Sequence, residues 1–165
     1  MNEIFTVTQK MIEWFSGDRR RIQHLLKVHA YARHIAIGEG LDDAARTTVE
    51  IAALVHDIGI RPAEEQFGRA DGKLQEQLGP QAAREVLGDL CGVSTLDRVA
   101  FLVGHHLTYT GVRDLDLRIL IEADALVNLA EEDARPKAVQ TWYRNVFRTQ
   151  TGQWLCRTVF ADAFA

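Results

Sequence analysis

The sequence predicts an all-α protein folded as one domain. Apolar residues recur at three- and four-residue steps through most of the chain, no stretch of useful length alternates at strand spacing, and the periodic segments are separated by glycine, proline and capping aspartates. The 165 residues, 47% hydrophobic and 25% charged, suffice for one compact core over residues 1–165. A net charge of -4 gives no basic footprint, so a nucleic-acid polymer is not an expected partner, whereas a small anionic substrate in a local positive pocket is compatible with it. Cys91 and Cys156 form no CxxC pair, which argues against a disulfide framework or a zinc knuckle. The first residues, MNEIFTVTQKMIEWF, carry Glu3 and lack a basic leading region, and the apolar stretch from Leu117 to Ala130 is broken by Arg118, Glu122 and Asp124. Neither reads as a secretory signal or a membrane span, so a cytoplasmic protein without membrane partners is expected.

Ile4, Thr8, Met11, Ile12 and Phe15 share one face of a first helix, which Ser16-Gly17-Asp18 ends. A second helix runs from about Arg19 to Ile37, with Ile22, Leu25, Leu26, His29, Ala32, Arg33 and Ala36 on its apparent inner stripe. His29 falls on that stripe; His24 and His34, each about 140° away at ~100° per residue, read as solvated. Gly38 and Gly40 end the helix, and an aspartate caps the next, expected over Ala44 to Ile58. Pro62 to Lys73 is polar and glycine-containing, as a loop or short irregular helix over a site would be. A helix over Leu74 to Leu87, interrupted near Gly79-Pro80, precedes one from Ser94 or Thr95 to about Leu107, whose apolar face carries Leu96, Val99, Val103 and His106. Asp114 or Asp116 caps a helix with Leu117, Leu120, Ile121, Asp124, Val127 and Asn128 on one stripe. Pro136 starts another helix, and Thr151-Gly152 is expected to separate it from the last.

Chemistry concentrates in VEIAALVHDIGI, residues 49–60, where His56 and Asp57 interrupt an apolar run. A carboxylate in such a setting needs a hydrogen-bond, ionic or metal partner, because an unpaired buried ion costs several kcal/mol. An isolated pair of this kind also fits a histidine held structurally by its neighbour. Three helices, however, each bring ligand-type side chains to a buried face: His29, then His56 with Asp57, then Asp124. Two imidazoles and two carboxylates suit a divalent ion such as Mn, Fe, Co, Ni, Zn or Mg, and a dication between two carboxylates is locally neutral.

In LLKVHAYARHIA, VHDIG, VGHHLTYTG and LIEADALVNL, over about residues 25–130, the chain resembles the HD-domain metal-dependent phosphohydrolase superfamily. The resemblance implies an HD-type helical bundle, core about 20–132, with a metal site between core helices and the other helices packed on it. It implies that His29, His56, Asp57 and Asp124 ligate the metal and that the protein is a stand-alone hydrolase. His105 and His106 stand where two-metal relatives place extra ligands and one-metal relatives place a phosphate-binding or proton-donating histidine. Two-metal relatives also contribute an upstream histidine, where this chain has Gln75 and Glu76; a second metal is left open.

The expected activity is metal-activated hydrolysis of a phosphomonoester or phosphoanhydride, with a nucleotide as the small phosphorylated substrate. Asp57 would orient the water, and His105 or His106 would steady the phosphoryl group. Arg61 and Lys73 are candidate phosphate contacts, Glu76 a ligand or water-orienting base, and Tyr109 a group that bonds or stacks on a base. Each has an ordinary alternative: a solvated charge for the first three, a helix cap for Tyr109. Two other functions use the same residues: a di-iron oxygenase of HD type, and a non-catalytic metal- or nucleotide-binding module in which the ligands staple helices together. The sequence is compatible with a homodimer.

Overall fold

The computed structural model describes residues 2–165, and among them every regular element is helical. The elements are α1 (Glu3–Trp14), α2 (Arg19–Gly38), α3 (Asp43–Val55), α4 (Ile60–Phe67), α5 (Gly72–Leu87), α6 (Val93–Val103), α7 (Leu115–Glu131), α8 (Pro136–Asn145) and α9 (Gln150–Val159), followed by a 3₁₀ turn, Ala161–Phe164. Local chemistry sets several starts. Asp18, Asp42 and Asp71 accept backbone N–H bonds at the N-termini of α2, α3 and α5, and Pro136 opens α8. The two most buried helices are α3 and α7: residues 49–55 are all buried on the first, and residues 119–127 on the second. Helix α2 packs across both of them, so any side chain pointing inward from α2, α3 and α7 meets the others.

Five boundaries differ from the sequence reading. Helix α6 ends at Val103 rather than near Leu107, so His106 lies in the turn that follows it and not on the helix face. Helix α3 stops at Val55, and His56 to Gly59 form a turn into α4, closed by Ile58 N–H to Val55 O (3.0 Å) and Ile60 N–H to Asp57 O (3.0 Å). The stretch after Pro62 begins inside α4, which ends at Gly68 in the left-handed conformation. Helix α5 passes through Pro80 unbroken. Thr151 and Gly152 do not separate two helices but lie in the first turn of α9, which Thr149 caps by accepting from Gly152 N–H.

The continuity of α5 follows from close packing by small residues. A methyl group on Gly59 would come within 2.8 Å of Gln75 O and Gly79 N, one on Gly79 within 2.7 Å of Val103, and one on Gly104 within 3.0 Å of the Pro80 ring. The turn after His56-Asp57, the middle of α5 and the end of α6 are therefore pressed together, and the lost Pro80 hydrogen bond is offset by that contact. Gly59→Ala is expected to lower stability by about 1–3 kcal/mol, because backbone rather than a flexible side chain meets the added carbon; urea denaturation of wild type and variant measures it.

Candidate metal centre

The turn at His56 determines how adjacent residues act together. On a continuous helix the two side chains would diverge by about 100°; in the turn both reach the same point. His56 Nε2 lies 3.6 Å from Asp57 Oδ2 and 3.3 Å from Asp124 Oδ1, the latter from the middle of α7. His106, in the turn after α6, places its Nε2 3.5 Å from Asp57 Oδ1. His24, from α2, completes the group: its Nε2 is 3.1 Å from Asp124 Oδ1 and 3.5 Å from Asp57 Oδ2. His24, His56, His106 and Asp124 are buried, and Asp57 alone keeps some solvent contact.

His24 is the correction to the sequence reading, which placed His29 here and His24 in solvent. His29 points to the other edge of α2, where its Nε2 meets buried Glu50 at 2.9 Å, with Arg33 and Arg46 each 3.6 Å from the same carboxylate. The physical reason is the width of the buried stripe. Val28 and Ile35 are fully buried and centre it between His24, Leu25, Ala32 and Ala36, whereas Leu26 and Arg33 are exposed. Including those two residues rotates the apparent stripe toward His29. Val28 and Ile35 are the signal that finds His24.

The other candidates divide. His106 enters the cluster, but His105 is exposed, stacked on Phe101 with ring centroids 4.1 Å apart. Arg61 leaves the site: as the second residue of α4 it faces outward, its guanidinium over Trp14 at 5.1 Å and bonded to Trp14 O and Glu65. Lys73 is exposed in the first turn of α5. Glu76 accepts from Leu107 N–H and the Thr108 hydroxyl, both at 3.0 Å, and so ties α5 to the turn that carries His106. Tyr109 packs edge-on to Trp142 at 5.3 Å; burial, then the charges of Asp124, Glu76 and Asp57, push its hydroxyl up to about 12. Two contributors passed unnoticed in the sequence. Glu131 receives the second His24 nitrogen at 3.2 Å, and Arg20 lines a cleft of about 260 Å³ with Arg21, Asn128, His24 and Asp57, where the cluster meets solvent.

The donor set fits a cation. His56 Nδ1 lies 2.8 Å from Ala53 O, and His106 Nδ1 lies 2.8 Å from Val103 O. A carbonyl only accepts, so both Nδ1 atoms carry hydrogen, and each ring in its neutral form would aim an Nε2 lone pair at carboxylate oxygens. Both Nε2 atoms are buried without a hydrogen-bond partner. Lone pairs facing carboxylates require positive charge between them, a proton or a metal ion. Burial opposes a charged His56, but Asp57 and Asp124 outweigh it and raise its pKa to about 9; burial likewise opposes ionisation of the two aspartates, and His56 foremost holds both below the usual carboxylate range. Donor atoms of His24, His56 and Asp124 lie within 4.8 Å of one another, as do those of His56, Asp57 and His106. The Glu131–His24 contact and the two carbonyl–Nδ1 bonds orient the three imidazoles from behind, as metal-binding histidines require.

The family model for the HD domain matches residues 21–129, more than half of the chain and inclusive of all five clustered residues. The chain belongs to the HD domain family. A crystal structure of a predicted HD superfamily hydrolase from an uncultured Thermotogales bacterium aligns with a TM-score of 0.66 and 25% sequence identity, covering 96% of this chain and 86% of that one. No curated protein matches the chain. The HD domain here is all-helical, and its His-Asp doublet lies in the turn described above. Among the described residues, no helix is long and apolar enough to cross a membrane.

Proposed function

We propose that this HD domain protein is a metal-dependent phosphohydrolase acting on a phosphomonoester or phosphoanhydride of a nucleotide. The observation that carries the reading is the pair of buried, unpartnered Nε2 atoms of His56 and His106 directed at Asp57 and Asp124. His24, His56, Asp57 and Asp124 would hold the ion. A bound divalent ion supplies a lowered pKa for water and polarisation of a phosphoryl oxygen. Asp57, partly open to the cleft, orients the attacking water with its carboxylate. His106 adjoins Asp57 and, when protonated, donates from Nε2 to a phosphoryl oxygen. Arg20, exposed at the cleft and in no ion pair among the described residues, takes the phosphate-binding part expected of Arg61. Arg21 supports the cleft wall through its bonds to Asp18 and Glu64.

One ion suits these donors better than two. Both ligand groupings include His56, whose single Nε2 lone pair serves one ion. This favours hydrolysis over a di-iron oxygenase. The solvent-facing cleft beside Asp57 favours turnover over a buried structural staple. Phosphate release from a panel of nucleotides, measured with Mn, Co or Ni, is expected in the wild type and to fall at least ~100-fold in Asp57→Asn, which keeps the side-chain size. Metal-dependent release unchanged in that variant would refute the assignment.

A further inference from the structure

A second cavity, of about 470 Å³, lies between the segment after Tyr109, the start of α7 and the α8–α9 connection. Arg113, Arg118 and Arg148 line it together with Tyr109, Ile121 and Asn145, and none of its lining residues is acidic. That is notable in a chain of net charge -4. Arg21, Arg33, Arg46, Arg61, Arg69, Arg84 and Arg98 are ion-paired, whereas Arg113, Arg118 and Arg148, like Arg20 at the other cleft, have no ion pair among the described residues, and here three such groups line one cavity. Arg118 gives one bond to Val112 O, and Arg148 bonds the Arg144, Phe147 and Asn145 carbonyls. These contacts fix the two side chains in place and leave N–H groups over, since each guanidinium has five. Glu122, buried behind them, already accepts from Arg148 N–H, Thr149 N–H and the Thr149 hydroxyl. It is a neighbour of the cleft without lining it.

The cleft and the metal centre share two stretches of chain. Tyr109, three residues after His106, lines the cleft, and Ile121 lines it one helical turn before Asp124 on α7. We propose that the Arg113–Arg118–Arg148 cleft binds a phosphate group of the same molecule whose scissile phosphoester is presented to the His24–His56–Asp57–Asp124 cluster, so that the substrate carries a second phosphate remote from the reacting one. Three guanidinium groups lining one cavity suit the charge and the several acceptor oxygens of a phosphate dianion, whereas a carboxylate occupies one fork. The volume exceeds that of one phosphate and accommodates part of the group attached to it. This substrate class rests on the phosphohydrolase reading; the cleft's affinity for phosphate does not.

The test has two arms. Inorganic phosphate is titrated by ³¹P NMR into metal-free protein: wild type and His56→Ala bind alike, and Arg113→Ala, a substitution at an exposed residue with no side-chain bond described, weakens binding about tenfold. Phosphate that fails to bind, or that is lost in His56→Ala and kept in Arg113→Ala, overturns the cleft. In the second arm, with metal, nucleoside 3′,5′-bisphosphates are compared with p-nitrophenyl phosphate. Arg113→Ala and Arg118→Lys raise KM for the bisphosphate about tenfold and leave KM for p-nitrophenyl phosphate and both kcat values unchanged. Equal KM changes for both substrates overturn the proposal. Hydrolysis of neither substrate by wild type, with phosphate still bound in the first arm, overturns the phosphohydrolase reading and the substrate class together, while the anion site stands.

Discussion

Replacing His24 by alanine is expected to weaken divalent-metal binding at least ~100-fold, because even residues that only orient a ligand are worth about 10–100-fold. His29→Ala is expected to leave metal affinity within about threefold. Its effect falls on stability instead. Glu50 is only 3% exposed, and without His29 it keeps only Arg33 and Arg46 contacts of 3.6 Å, a loss of about 1–3 kcal/mol. Competition against a chromophoric chelator, followed by thermal melting of the same samples, separates the two. Weak metal binding in His29→Ala with normal binding in His24→Ala would reverse the assignment.

Glu122→Ala is expected to destabilise the fold by about 3–5 kcal/mol, since it leaves the Arg148 and Thr149 N–H groups without an acceptor and opens a cavity in the seam joining α7 to α8 and α9. Its pH dependence is distinctive. Burial raises the Glu122 pKa above its ordinary 4.5, and the bonds from Thr149 and Arg148 only partly oppose this. The folded state therefore holds the proton more tightly than the unfolded chain. The stabilisation is complete below the unfolded value and is lost as pH rises from about 4.5 through the folded value. Glu122→Gln keeps an acceptor for the two N–H groups and removes this slope. Denaturation midpoints of wild type, Ala and Gln variants across that pH range check all three expectations.

Much of this was legible from spacing. The all-helical class, the aspartate cap of α3 and the inward direction of Asp124 each follow from short-range pattern. So does the anomaly of His56-Asp57 in an apolar run. What failed depended on neighbours distant in sequence. A stripe of α2 drawn through Leu26 and Arg33, which are exposed, and not through Val28 and Ile35, which are buried where α2 packs on α3 and α7, selects His29 over His24. Pro80 in α5 looked like a break because its compensation comes from Gly104 and the contact between Gly59 and Gly79, far along the chain. Arg61 was judged by its nearness to Asp57 in sequence, but the first turn of α4 rotates it onto Trp14. His105 and His106 are adjacent in sequence, and only the turn after α6 decides that His106 faces the carboxylates.

The central claim is that His24, His56, Asp57 and Asp124 form one metal site. Elemental analysis of protein purified without added metal, and again after loading with Mn, Fe, Co, Ni, Zn or Mg, tests it most directly when wild type is compared with His56→Ala. The account predicts about one equivalent in the wild type, from the single Nε2 lone pair that both ligand groupings share, and its loss in the variant. A folded wild type that neither carries nor takes up any of these metals, or a His56→Ala protein that keeps its full complement, would contradict it.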